Sequence, residues 1–230
     1  MSTLIAPPTA PQPPGWRMVR LLGAVSLICG ILIVGTNLLT ANRIRHNQET
    51  IMRDSVAELL PGIQKQIVYG IQPSGELKIL AGLEEGGPRL FAGYDGSGKL
   101  LGVVIESSAR GYADLIQAMY SYSPEKQAIT GFKVVDMRET PGLGDRVRSD
   151  PDFLKNFQNL DATVIPDNGD GKPANPVKVV KHGSKKNAWE IDAISGATIS
   201  SRAVGKLIGT SVEDVIPVVR KNLEGIERGQ

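Results

Sequence analysis

The run Val19–Leu39, VRLLGAVSLICGILIVGTNLL, limits most strongly what this chain can fold into. Its one charge is Arg20, near the start. At about 1.5 Å per residue, a helix of this length spans about 31 Å, close to the roughly 30 Å hydrocarbon core of a bilayer. A cleaved signal peptide is the competing reading. Its apolar core usually runs to about 7–15 residues, and no small-x-small cleavage pattern follows here. The expectation is therefore a retained single-span helix over 19–39, preceded by a disordered Pro/Ser/Thr-rich tail over 1–18. Arg17 and Arg20 lie before the span and Arg43 and Arg45 after it, so the positive-inside rule leaves the orientation open.

The remaining residues are enough for one folded domain. A formal charge of +2 gives no support for nucleic-acid binding, and no basic stripe interleaved with aromatics appears. Cys29 is the one cysteine, which excludes an internal disulfide and the thiolate set of an iron–sulfur cluster or a structural zinc site. His46 and His182 stand apart from any companion ligand. Asp167, Asn168 and Asp170 lack the closing Glu and the spacing of a calcium loop.

After the span, Ile44, Ile51, Val56 and Leu59 recur at helical spacing, and Pro61-Gly62 ends the pattern. This predicts a juxtamembrane helix over 40–62, then a domain over 63–230. Within it, Leu90–Tyr94 and Lys99–Glu106 flank Asp95-Gly-Ser-Gly98 as a hairpin. The Gly-Ser-Gly there lacks the rest of a phosphate-loop pattern. Tyr112–Tyr120 reads as a helix or a buried segment, and Ile129–Met137 as a strand. A short helix is expected over Asp152–Leu160, opened by Asp150-Pro151. Val177–Lys181 and Ala188–Ala193 read as strands, then Ser200–Ile208 and Val212–Glu227 as closing helices. Short strands with intervening and terminal helices predict an α+β domain.

Two motifs carry chemistry. In Asp192-Ala-Ile-Ser-Gly-Ala-Thr198 a strand passes through Gly196 into a helix. The unpaired N–H groups and positive end of that helix favour a phosphate, and small residues let it approach. On the residues alone, a plain Ser/Thr helix cap competes and is the simpler reading. The second motif is Glu139-Thr-Pro-Gly-Leu-Gly144, which alone reads as a Pro-Gly turn.

Taken together, D-x-x-S-G-A-T, E-T-P-G-L-G some fifty residues earlier and Gly111-Tyr112 resemble the paired pattern of the FMN-binding domains whose threonine holds FMN as a phosphoester. The family often has Gly-Tyr-Gly-Gly where this chain has Gly-Tyr-Ala-Asp, so Ala113 and Asp114 depart from it. The resemblance covers about residues 90–205. One span with one such domain is similar to the G-subunit family of Rnf electron-transport complexes. The related C-subunit family of the sodium-pumping NADH:quinone reductase is the alternative. A non-redox, single-span binding or assembly module remains the reading from another class.

The resemblance implies covalent FMN on Thr198, attached by a separate flavin transferase that uses FAD. It implies that Asp192 serves that transferase reaction and that Ser195, Gly196 and Ala197 shape the loop. Glu139, Thr140, Gly142, Leu143, Gly144, Gly111 and Tyr112 would then surround the flavin. It further implies an electron relay with no complete active site of its own, partnered by other subunits of a membrane complex that translocates ions. Finally, it implies a soluble domain on the periplasmic side of the bacterial inner membrane and a cytoplasmic N-terminal tail.

Overall fold

The computed structural model describes residues 15–72, 74–80, 89–165 and 172–229. The chain divides into two compact units, Met1–Gln48 and Glu49–Gln230. Helix α1, Gly15–Leu59, begins in the first and ends in the second. No break separates the apolar stretch from the juxtamembrane stretch, because neither Gly nor Pro interrupts residues 36–59. Every large apolar side chain from Val19 to Leu39 is exposed. The helix is long and apolar enough to cross a membrane, and its apolar surface over residues 19–39 is uncovered.

The second unit is built on a seven-stranded antiparallel sheet, ordered β2-β1-β3-β4-β5-β6-β7. Its strands are β1 Lys65–Ile71, β2 Leu77–Ile79, β3 Arg89–Tyr94, β4 Leu100–Arg110, β5 Leu115–Ser123, β6 Ala128–Asp136 and β7 Leu160–Asp161. The β3–β4 hairpin closes through Asp95-Gly-Ser-Gly98, where Asp95 Oδ1 accepts from the Ser97 and Lys99 N–H groups at 2.8 and 2.9 Å. After β6 come a 3-10 turn, Gly144–Arg148, and the short helix α2, Pro151–Lys155. A separate parallel pair, β8 Lys178–Val180 and β9 Glu190–Asp192, leads into α3 Thr198–Asp214, α4 Ile216–Lys221 and α5 Leu223–Arg228.

Both faces of the sheet are covered, and the two-residue period of the strands divides the side chains between them. Leu90, Ala92, Val103, Ile105, Ala118 and Tyr120 join α3 and the terminal helices in the larger core. The intervening Phe91, Val104 and Met119 pack with Met52 and Val56 from the end of α1 and with Leu60 just after it. Tyr120 donates to Ser211 Oγ (2.7 Å) and Ser107 Oγ to the Leu207 carbonyl (3.2 Å), tying α3 to the sheet.

Three expectations change. Of the two readings of Tyr112–Tyr120, helix or buried segment, the helix falls away: a loop leads into the largely buried strand β5. Ile116, Ala118 and Tyr120 are buried on one face and Met119 on the other, so the alternation that marks a half-exposed strand breaks down after Gln117. The expected helix over Asp152–Leu160 stops at Lys155, and Leu160 pairs with Ile129 instead. The first closing helix starts at Thr198 and runs through Gly209 to Asp214; Pro217 then opens α4. Strands β1 and β2 have no counterpart in the pattern of the sequence. The Asp167–Asp170 segment lies outside the described residues.

Candidate functional site

Three segments that are distant in sequence converge at the start of α3. A cleft of about 500 Å³ is lined by Tyr112, by Glu139, Thr140, Leu143 and Gly144, and by Gly196, Ala197, Thr198, Ile199 and Ser200. Residues of both motifs and Tyr112 therefore line one cleft. Ser200 belongs to the pair of serines that follows Thr198 in the pattern, D-x-x-S-G-A-T-x-S-S, and Ile199 is an addition to the residues that pattern names. Ile199 directly follows Thr198, and nothing local distinguishes it from a core-facing helix residue.

The SGAT loop is shaped by backbone and hydroxyl contacts. Gly196 has φ +85°, a region that favours glycine. Ser201 Oγ accepts from Ile194 N–H (3.1 Å) and donates to the Ala197 carbonyl (2.9 Å), so it pins both ends of the turn. Ser195 is exposed, and its carbonyl accepts from Arg146 (3.2 Å), which also pairs with Asp150 (2.7 Å). Arg146, unremarked in the sequence, thus ties the segment after Glu139-Thr-Pro-Gly-Leu-Gly144 to the SGAT loop.

The plain helix-cap reading fails. The N-cap residue of α3 is Ala197, and no side chain caps the helix. Thr198, exposed, is the first helical residue, beside N–H groups that the helix itself cannot satisfy. A helix of 17 residues presents there an uncapped positive end flanked by an exposed hydroxyl.

Opposite, Gly142 has φ +76°, and the Thr140 carbonyl accepts from Leu143 (3.2 Å) and Asp145 (3.4 Å), forming a compact turn. The rim is apolar. Tyr112, Leu143 and Ile199 are 68%, 53% and 54% exposed, far more than large apolar residues in the core below them.

Glu139 is the exception to this open rim. It is only 7% exposed, and its side chain turns inward. Oε1 accepts from the Ala113 N–H at 3.1 Å and Oε2 from Ser200 Oγ at 2.5 Å. Gly111 lies behind it rather than in the lining. Ala113 takes part through its backbone, so its departure from the family pattern leaves this contact intact. Asp114 holds the same loop through its carbonyl, which accepts from Gly111 N–H (2.8 Å).

Asp192 lies apart from the cleft lining. Its carboxylate accepts from the N–H groups of Gly183 (2.8 Å) and Ser184 (3.3 Å), and its backbone exchanges two hydrogen bonds with the Asn156 side chain. Glu190 braces the same connection through the Lys186 and Asn187 N–H groups, which hold its carboxyl below the usual range. His182 Nδ1 lies 3.1 Å from the Ala193 carbonyl. These contacts spend the Asp192 carboxylate on the turn beside the SGAT loop.

This convergence of loop and turn has a counterpart among known proteins. Residues 111–213 match the FMN-binding domain. The match spans all three segments of the cleft. Across 204 residues the chain is 27% identical to the G subunit of the ion-translocating oxidoreductase complex of Methanosarcina acetivorans, covering 86% of this chain and 93% of that one. It is 28% identical over 211 residues to the G subunit of the Na(+)-translocating ferredoxin:NAD(+) oxidoreductase complex of Acetobacterium woodii, covering 86% and 92%. The fold resembles that of NqrC from Shewanella oneidensis, with a TM-score of 0.60 at 19% identity over 79% of this chain and 99% of that one. The C subunit of the Na(+)-translocating NADH-quinone reductase from Parabacteroides distasonis gives 0.55 at 19% identity, over 80% and 96%. The two G-subunit relatives thus align along most of their own length as well as most of this chain.

Proposed function

We propose that this chain is the flavin-carrying G subunit of a membrane complex that couples electron transfer between ferredoxin and NAD to ion translocation, with FMN joined to Thr198 as a phosphoester. The observation that carries the reading is the meeting of an exposed Thr198 hydroxyl, an uncapped helix end and an apolar-rimmed cleft in one place. The G-subunit relatives align along most of both lengths, which favours this complex over the quinone reductase, whose corresponding protein is matched in fold at 19% identity.

The residues fit the group. The cleft lies within the range of roughly 300–1,000 Å³ typical of small-molecule sites. The first N–H groups of α3 would hold the phosphate ester beside Thr198 Oγ. Tyr112, Leu143 and Ile199 would flank the isoalloxazine, which buries their exposed area. The turn around Thr140 and Gly142 would offer backbone groups to its polar edge, and Gly196 and Ala197 leave room for the linker. Asp192 would act indirectly, by bracing the turn next to the hydroxyl that the transferase must reach. Bound FMN supplies one- and two-electron redox chemistry, which no side chain here can provide. The covalent bond makes retention independent of affinity, so the protein's task reduces to positioning and access.

In this reading, residues 19–39 cross the inner membrane and the FMN-binding domain lies on the periplasmic side. The other subunits of the complex and an FAD-dependent flavin transferase are the partners. The test is the intact mass of the chain purified from cells containing that transferase, together with ultraviolet fluorescence of the denatured band. The reading predicts the added mass of one FMN residue and a fluorescent band. A mass equal to that of the bare sequence would overturn it.

A further inference from the structure

Glu139 lies where the cleft's three segments touch, and retention of a covalently linked group does not by itself require a carboxylate there. Of its two oxygens, one holds the loop that carries Tyr112, through Ala113 N–H at 3.1 Å. The other holds the first turn of α3, through Ser200 Oγ at 2.5 Å, two residues after Thr198. The chain leaves space for this group and for little else. A methyl at Gly111 would come within 2.4 Å of Oε1, and one at Gly144 within 2.5 Å of Oε2 and 2.6 Å of Ser200 Oγ. Both partners are neutral donors, and both bonds end on one nearly buried carboxyl, so they are short-range and well shielded from water.

We infer that Glu139 is the positioning residue of this cleft: its buried side chain locks the Tyr112 wall and the Thr198 attachment point into a single fixed spacing. A tethered ligand in an open cleft can swing about its linker. Its orientation is set only if the anchor and the opposing wall cannot drift apart. The anchor turn and the Tyr112 loop belong to different parts of the chain, and Glu139 Oε1 and Oε2 bridge them directly. The inference rests on the FMN reading for its consequence, but the bridge itself is a property of the chain.

Glutamine at this position can keep both bonds, with its oxygen accepting from Ala113 N–H and its amide donating to Ser200 Oγ. Alanine keeps neither. The experiment uses the full chain in detergent, as wild type, Glu139→Gln and Glu139→Ala, each with and without Thr198→Ala. Two properties are read: amide hydrogen exchange in the unloaded proteins, and visible circular dichroism of the bound flavin in the loaded ones. Glu139→Ala should speed exchange by roughly tenfold or more at Ala113, whose N–H loses its acceptor, and raise it at Ser201, whose N–H closes the first turn of α3 on the Ala197 carbonyl. Elsewhere in the domain, exchange should stay as in wild type. The flavin dichroism should change in Glu139→Ala and return toward wild type in Glu139→Gln.

Unchanged exchange and dichroism in Glu139→Ala would overturn the inference. So would a uniform loss of protection across the domain in both variants, because that marks a general stabilising role. If Glu139→Ala does not fold, Ser200→Ala removes one bond only. It should loosen the α3 turn while leaving Ala113 protected, and equal loosening at both would also overturn the inference. If wild type carries no linked flavin, the FMN reading falls, while the exchange measurements on unloaded protein still decide Glu139.

Discussion

Glycines open space for a neighbouring side chain on both faces of this domain, with opposite results. On the α1 face, a Cβ at Gly93 would meet Leu60 Cδ1 at 2.6 Å and Ile63 Cδ1 at 2.8 Å, and one at Gly102 would meet Leu60 Cδ2 at 3.0 Å. The missing side chains form a seat for an apolar plug. At the cleft, the space left by Gly111 and Gly144 receives the Glu139 carboxylate. Leu60 makes only non-directional contacts, whereas Glu139 is fixed by two hydrogen bonds of defined direction. A seat of the first kind can relax when disturbed. A seat of the second kind relaxes only by losing one of those bonds, which suits the attachment point proposed at Thr198.

The sharpest break between the two faces is chemical. On the proposed function, Thr198→Ala should abolish linked flavin entirely, seen as loss of in-gel fluorescence and of the added mass, while unfolding stays close to wild type because Thr198 is exposed. Retention of covalent flavin in this variant would move the attachment elsewhere.

Leu60→Ala should do the reverse. Leu60 is 6% exposed and fills the seat under α1, so truncation should cost about 2–5 kcal/mol in chemical denaturation. Linked flavin should persist in the folded fraction. Loss of flavin in fully folded Leu60→Ala would show that the two faces are not independent.

The comparison is sharpened by making the same substitution on each side. Gly144→Ala brings a methyl against Glu139 Oε2 and Ser200 Oγ, groups locked to each other, and should cost about 1–3 kcal/mol and disturb flavin dichroism. Gly93→Ala meets the far ends of two flexible side chains, which can shift, so it should cost less. Neither position has a positive φ, so backbone strain does not confuse the pair. Equal losses measured by denaturation would remove the distinction between plug and pin.

How far the sequence reached follows the same division. The motifs were legible through their joint resemblance to a known family. On the residues alone a plain cap and a Pro-Gly turn were the simpler readings, and the helix was expected to start at Ser200, two residues after its actual start at Thr198. The hairpin at Asp95–Gly98 was legible for a local reason. Glu139 was singled out, but its role was not legible. Its partners are 26 and 61 residues away, and only the fold brings them together. Strand β5 was ambiguous because Ala118 and Tyr120 enter one core and Met119 the other, which erases the alternation. Strand β1 went unread because KQIVYGI has a glycine inside it and only partial alternation. The seat for Leu60 was invisible for the reason that hid Glu139: a glycine in a strand does not announce what will fill it.

The smallest expected effect concerns the polar tether beside the cleft. Asp150 caps α2 by accepting from the N–H groups of Phe153 (3.1 Å) and Asp152 (3.2 Å), and it pairs with Arg146, which in turn reaches the Ser195 carbonyl. Burial pushes its carboxyl upward, but the Phe153 N–H and Arg146 outweigh burial and hold it below its ordinary value of 3.8. A carboxyl depressed in the folded state contributes stability above the unfolded value and loses it as pH falls through the folded one. Asp150→Ala should therefore cost about 1 kcal/mol near neutral pH, and the gap to wild type should narrow as pH drops below about 4. A gap unchanged between neutral and acid pH would mean that Asp150 acts by shape alone. The SGAT loop would then owe nothing to the charge of that tether, leaving Ser201 and Glu139 as its fastenings.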